Sequence, residues 1–447
     1  MVKSKLPFSQ IVLYSIGHLG YSLASFGVIN LLYYFYMPPE NGEEPIFPEM
    51  INNLPILGLF TILGFLTFGG RMFDAITDPL IASWSDKSQF KMGKRKGLML
   101  IAALPFALLS FLIFYPLSMD VNTQTTYLLI LVFLLYFFMT LYIVPYYALI
   151  SELGSEAEDR LRLSTSISIT WALGFIIGSG VYALKGMFMD QWGHSSTVAF
   201  QYIMAIYAGL SFLFLLCPAL FLKEKEYAIQ SSEYFSWKES IKAVYQNANF
   251  RTFVLADMIY WMAITFMQVG ISYFVGILFG LEESYASLFL LISFLGSFLL
   301  YIPVLRLTRR RGKKKIILSA FIVFGAIFLA CLLNAFVPSL GQYSFYLLAV
   351  SAAYPLAVFG ILPNALIGDV VNQAEKESGS SQSAMYYGVR NMLTKFGISL
   401  TNLLFPSFLL LGKSMDQPQG VQLSAAVALM TCLAGAYIFT KFKEIPA

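Results

Sequence analysis

Apolar residues in this chain fall in runs near or above twenty, broken by short polar, charged or glycine- and proline-bearing stretches. About twenty apolar residues in a helix cross the roughly 30 Å hydrocarbon core of a bilayer. Barrel strands would instead show segments of about ten residues in strict alternation. Only closed barrels and helices satisfy every backbone group in lipid, so the spans are helical. The pattern predicts twelve of them, over residues 8–36, 52–85, 97–118, 125–152, 164–186, 198–222, 250–279, 284–306, 315–337, 342–371, 384–411 and 421–441. The longest of these should tilt or protrude into water. The expected fold class is therefore all-α and integral to the membrane. Composition agrees: 58% of residues are hydrophobic and 12% charged, against about 25% charged in soluble domains.

Charge sets the orientation. Lys3, Lys5, the cluster Lys87 to Lys96, Arg160, Arg162, Lys223, Lys225, Lys238, Lys242, Arg251, the cluster Arg306 to Lys315, Lys376, Lys441 and Lys443 all fall on one side. The other side holds Lys185 and Lys413 and is otherwise acidic or neutral. The positive-inside rule then places both termini in the cytoplasm. No cleavable signal is expected, because the apolar run after Lys5 is too long for one.

A repeat is visible. The loop after the second span contains Gly93-Lys94-Arg95-Lys96, and the loop after the eighth contains Gly312-Lys313-Lys314-Lys315. They stand half a chain apart, at equivalent places in two six-helix halves. The halves are expected at 1–222 and 250–447, joined by a polar linker, 223–249, in which residues 235–250 suit an interfacial helix. Two parallel six-helix halves are the organisation of major facilitator transporters, with a site between them near the midplane.

Little in the chain suggests an enzyme. Cys217, Cys331 and Cys432 are scattered, there are two histidines, and no nucleophile, metal or phosphate motif appears. The chemistry lies instead in Gly69-Gly70-Arg71-Met72-Phe73-Asp74-Ala75-Ile76-Thr77-Asp78-Pro79 of the second span. A charge at bilayer depth costs several kcal/mol unless it faces protein or water and has a partner. Asp74 and Asp78 are spaced i, i+4 and share one helix face with Arg71. That face must line a cavity, where carboxylate and hydroxyl oxygens suit a small hard cation. Lys395, inside the eleventh span, is a candidate partner for the acids. His18 and Ser22 share a face of the first span. Tyr147, Trp171 and Trp261 offer aromatic faces to a substrate, with helix packing as the alternative for each. Gly174, Gly178 and Gly180 have the spacing of close helix contacts. Asp86, Glu152 and Asp369 lie near the basic loops and could pair with them.

The motif Arg71-x-x-Asp74-Ala75-x-x-Asp78-Pro79, the stretch Val144-Pro145-Tyr146-Tyr147-Ala148-Leu149 with Thr140 before it, and Arg390-Asn391-Met392-Leu393-Thr394-Lys395 together resemble the glycoside–pentoside–hexuronide cation symporters, the melibiose permease-like family of the major facilitator superfamily. The resemblance covers nearly the whole chain. It implies a cation site at Asp74, Asp78, Thr77 and Thr140 for sodium, with lithium or a proton as alternatives, and a coupling role for Lys395 and Arg71. Thr77 replaces an asparagine of the melibiose permease. Where that protein grips sugar with charged residues, this chain reads Ser22, Ile143 and a position near Ile167. The related sodium-dependent lysophosphatidylcholine symporters keep the paired acids and the lysine.

The expected function is cation-coupled symport of a small organic substrate, a sugar or glycoside. The alternatives are a lysolipid or other amphipath symporter, a cation-independent facilitator or flippase, and a non-transporting receptor. The expected partners are that substrate, the monovalent cation and the bilayer. No cofactor and no nucleic acid is expected, and the protein is expected to be a monomer in the inner or plasma membrane.

Overall fold

The computed structural model describes residues 6–40, 46–52, 55–56, 58–117, 120–154, 157–227, 247–334, 341–378 and 383–444. Among them, helices follow one another as the hydropathy pattern requires. They are α1 (Phe8–Tyr36), α2 (Ile62–Lys87), α3 (Lys94–Leu112), α4 (Val121–Leu153), α5 (Ala157–Ser179, prolonged by Val181–Trp192), α6 (Ser196–Phe221), α7 (Ala248–Leu278), α8 (Ser284–Arg311), α9 (Lys313–Asn334), α10 (Gly341–Ser378), α11 (Ser383–Leu409) and α12 (Gln419–Thr440). Most of the interfacial stretch expected at 235–250 lies outside the described residues; α7 takes up its last three positions.

Ten of these helices are long and apolar enough to cross a membrane. The other two are α2, with 26 residues, and α11, with 27. At about 1.5 Å per residue both span a bilayer in length. They differ in carrying Arg71, Asp74 and Asp78 on one, and Arg390 and Lys395 on the other.

Boundaries differ from expectation where backbone chemistry intervenes. The described residues 52, 55, 56 and 58–61 precede α2 rather than belonging to it: Pro55 and Gly58, with φ +72°, turn the chain, and Ile56 pairs with Phe60 in an isolated bridge. The span expected at 164–186 begins earlier, at Ala157, where Glu158 and Asp159 occupy the first turn and favour the positive end of the helix dipole. Helix α4 starts at Asp120, whose side chain accepts from the Thr123 amide. The Thr123 hydroxyl and amide hold the Asp120 carboxyl below its usual range.

The chain clusters into two compact units: Met1–Pro38, Ile46–Leu54 and Gly69–Ser232 in one, and Pro39–Pro45, Pro55–Phe68 and Glu233–Ala447 in the other. Within the first, α1 packs on α5 and α6, and α3 packs on α4 and α6. Within the second, α7 packs on α11 and α12, and α9 on α10 and α12. These four pairings recur six helices apart, as a duplicated half requires. The second unit takes in the connection after α1: Glu40 pairs with Lys413 at 3.0 Å, and its amide donates to the Lys413 carbonyl at 2.9 Å. Thr67, in the first turns of α2, donates to the Asn402 carbonyl at 3.4 Å.

The repeated basic loop has a matching structure in each unit. In the first, Glu224 accepts from the amides of Arg95 (3.1 Å) and Lys96 (2.9 Å), capping α3. Lys96 Nζ donates to the Leu220 and Leu222 carbonyls, closing α6. In the second, Glu444 accepts from the Lys314 amide (3.5 Å), and Lys314 Nζ donates to the Thr440 carbonyl of α12 (2.5 Å). Arg95 reaches Glu152 (2.6 Å), Asp86 (2.5 Å) and Ser85 (2.6 Å), while Lys313 pairs with Asp369. The three acids read as partners of the basic loops are thus paired with them.

Each loop depends on its glycine. Gly93 has φ +131° and Gly312 φ +85°. A Cβ at Gly93 would lie 2.3 Å from Glu224 Oε2, and one at Gly312 2.5 Å from Glu444 Oε1. Gly93→Ala is therefore expected to lower stability by about 1–3 kcal/mol, and Gly312→Ala similarly. Thermal unfolding in detergent checks this, with Gly209→Ala as the control, since a Cβ there meets nothing within 4 Å. An unchanged melting temperature for Gly93→Ala would contradict the capping arrangement.

Candidate cation and substrate site

The polar face of α2 is built from its spacing. Arg71, Asp74 and Asp78 stand one turn apart, and α4 supplies what meets them. Asp74 is 1% exposed. One carboxylate oxygen accepts a short hydrogen bond from the Thr140 hydroxyl of α4. The other lies 3.5 Å from Arg71 Nη1. Arg71 is itself buried, with its guanidinium 5.4 Å from the centroid of the Tyr136 ring. Tyr136 and Thr140 are one turn apart on α4, so a single face of that helix holds both Asp74 and its arginine. Gly70 makes the approach possible: a Cβ there would lie 2.5 Å from the Tyr136 ring. Tyr21 of α1 is within electrostatic reach of Arg71, Asp74 and Asp78.

The Thr77 hydroxyl donates to the Asp74 carbonyl at 3.2 Å, and its oxygen retains acceptor capacity. Asp78 is partly exposed. Pro79 and Pro145 lack an N–H, so the carbonyls of Ala75 and Leu141 lose their usual helical donor. The Thr140 hydroxyl meets the Asp74 carboxylate and the Thr77 hydroxyl its carbonyl, with the Asp78 carboxylate one turn further along α2. With both acids ionised, two carboxylates against one guanidinium leave a single negative charge, which matches one monovalent cation.

Four of the five substrate candidates sit in the first unit and form two pairs. His18 Nε2 lies 3.0 Å from the Tyr147 hydroxyl, joining α1 to α4. The Ser22 hydroxyl donates to the Trp171 carbonyl at 2.7 Å, joining α1 to α5. A Cβ at Gly174 would lie 2.6 Å from Ser22 Cβ, and one at Gly178 would lie 2.5 Å from the Phe26 ring, so these two glycines serve close helix packing, as their spacing implies. Beside His18, Tyr14 and Tyr146 stack at 4.2 Å and exchange hydroxyl-to-carbonyl bonds of 2.8 and 2.7 Å. Tyr147 projects from this cluster and is 46% exposed.

Lys395 and Trp261 belong to the second unit. Lys395 is partly exposed, and its carbonyl accepts from the Ser399 hydroxyl at 2.7 Å. In the same unit the structure shows a charge pair that the sequence reading did not single out. Asp257 of α7 is buried and receives Arg390 of α11 through Nε at 2.8 Å and Nη2 at 3.3 Å. Asp257 carries the same signal that identified Asp74, an acid inside an apolar span, and could have been found by it. Tyr136 gave no such signal in a chain that is 16% aromatic.

Long apolar helices whose packing partners recur in two units, with charges set on particular helix faces, are the architecture of a membrane transporter and not of an enzyme. The family described as MFS/sugar transport protein matches residues 13–439, and the chain belongs to it. It is 22% identical to the sodium-dependent lysophosphatidylcholine symporter 1 of Gallus gallus, over 84% of this chain and 78% of that protein. It is 25% identical to the putative glycoside/cation symporter YagG of Escherichia coli, over 42% of this chain and 41% of that one. Among solved structures, a D-xylose–proton symporter superposes with a TM-score of 0.69 at 13% identity, covering 98% of each chain. That likeness speaks for the fold alone.

Proposed function

We propose that the protein is a cation-coupled symporter of sugars or glycosides, with sodium as the coupling ion and Asp74, Asp78, Thr77 and Thr140 as its ligands. The observation that carries the reading is the Asp74 carboxylate, shared between the Thr140 hydroxyl and Arg71 in a buried membrane setting. In the empty site Arg71 balances Asp74. An incoming cation takes over that balance, and the guanidinium is freed to move. Lys395, within the second unit, is assigned a role in coupling cation binding to transport. The cation and the sugar each raise the other's affinity by the same factor. Loaded and empty forms then alternate between the two faces of the membrane. The basic loops support an orientation with both termini in the cytoplasm, and the protein is taken to act as a monomer in the inner or plasma membrane.

The length of the match to lysophosphatidylcholine symporters supports a second reading, with a lysolipid as cargo. Reconstituted uptake separates the readings. Proteoliposomes with an inward sodium gradient should accumulate a labelled glycoside, and collapsing the gradient should stop accumulation. Uptake indifferent to sodium and to pH would leave a facilitator in place of a symporter. Sodium-driven uptake of lysophosphatidylcholine alone would establish the second reading.

A further inference from the structure

The Asp257–Arg390 pair is more than a link between two helices. Asp257 stands about two and a half turns inside α7, and Arg390 two turns inside α11. The Asp257 side chain is 1% exposed and that of Arg390 12% exposed. Thr394 Oγ1 also approaches Asp257, at 3.4 Å. The remaining edge of the guanidinium donates through Nη1 to Asn364 Oδ1 of α10 at 2.7 Å. Asn364 itself is exposed, fourteen residues before the end of α10, as is Asn391 beside Arg390. Two amides at that depth would be poorly placed against lipid, so this face meets water. A buried ion pair is seldom a net source of stability, and helix packing requires no exposed amide at its rim.

The chemistry of the exposed edge is specific. The carboxylate cancels the arginine's charge, so the cluster is neutral and has no call for an anion. It presents a guanidinium edge and a carboxamide, donors and acceptors side by side in planar groups. One turn beyond Asp257 on the same face of α7 stands Trp261, half-buried. Its neighbour Tyr260 is committed to the interior, stacked on Phe359 at 3.9 Å. Planar hydrogen-bonding groups next to an indole fit a ligand with many hydroxyls on one side and C–H groups on the other.

We propose that Arg390, Asn364 and Trp261, oriented by Asp257, form a subsite in the second unit for the hydroxyls of an uncharged sugar or glycoside. This rests on the reading of the protein as a sugar transporter and adds where an uncharged sugar is held. A sugar hydroxyl accepts from the guanidinium edge and a neighbouring one bonds the Asn364 carboxamide. Asp257 is a positioning residue that keeps the guanidinium flat and neutralised.

The test is binding to purified protein with sodium present, using methyl glucoside, methyl xyloside and lysophosphatidylcholine as probes. A methyl glycoside should bind the wild type. Asn364→Ala and Trp261→Phe should each weaken that binding about tenfold or more, with stabilisation by sodium alone unchanged. Asp257→Arg combined with Arg390→Asp restores a pair but reverses the edge, so it should fold and fail to bind the glycoside. Wild-type glycoside affinity in this exchanged pair would overturn the proposal, because a purely structural bridge tolerates exchange. Binding of lysophosphatidylcholine but of neither glycoside would overturn it as well. Glycoside binding that is independent of sodium yet lost in Asn364→Ala would uphold the subsite while refuting cation coupling.

Discussion

Asp74→Asn is expected to abolish cation-driven accumulation, reducing it at least about 100-fold, to the level of empty vesicles. Asparagine keeps the shape of aspartate and one acceptor for Thr140, but it removes the charge that Arg71 faces at 3.5 Å and that a cation would need. The change also leaves a buried guanidinium with its principal counter-charge gone. Breaking a buried pair from one side costs about 3–5 kcal/mol, so the single variant should melt earlier than wild type. Adding Arg71→Gln should recover most of the lost stability and none of the uptake. That split separates the structural role of the pair from its role in transport. Gradient-driven uptake and thermal unfolding on the same preparations supply both readings. Uptake recovered along with stability in the double variant would contradict a cation role for Asp74.

The second large effect is expected at the basic loop. Arg95→Met removes a guanidinium whose side chain is 5% exposed from Glu152, which is 2% exposed. Among the described residues, Glu152 would keep Lys94, at 3.5 Å. A buried carboxylate stranded in this way destabilises the first unit by about 3–5 kcal/mol. Asp86, 55% exposed at its side chain, contributes far less, because water screens it. Arg95→Met should thus lower the melting temperature markedly, Asp86→Asn only slightly, and Glu152→Gln added to Arg95→Met should recover much of the loss. Equal effects of Asp86→Asn and Arg95→Met would show that burial is not what gives this network its strength.

How much of this was legible in the sequence depended on the range of each signal. The polar face of α2 was readable because charge in an apolar run is rare and helical spacing is local. Thr140 was reached through resemblance, and the structure sets its hydroxyl on Asp74. The repeat was readable from glycine followed by three basic residues. The glutamates that complete it were not. Glu224 and Glu444 stand in polar segments more than a hundred residues from the amides they cap, and at sequence level they look like solvated charges. Ser22 is the converse case. The resemblance set it among the substrate candidates, yet its hydroxyl proton goes to the Trp171 carbonyl, a contact that the close approach of α1 and α5 at Gly174 creates. The start of α2 was placed ten residues early because hydropathy continues through residues 52–61, whereas Pro55 and the left-handed Gly58 stop the helix.

The central claim is that Asp74 and Asp78 hold the coupling cation. Its most direct test is titration calorimetry of sodium into the purified protein, without substrate, alongside Asp74→Asn and Asp78→Asn. The account predicts saturable sodium binding by wild type at one ion per chain, absent from both variants. Sodium binding that persists undiminished in both variants, or none at all in wild type at any pH, would contradict it.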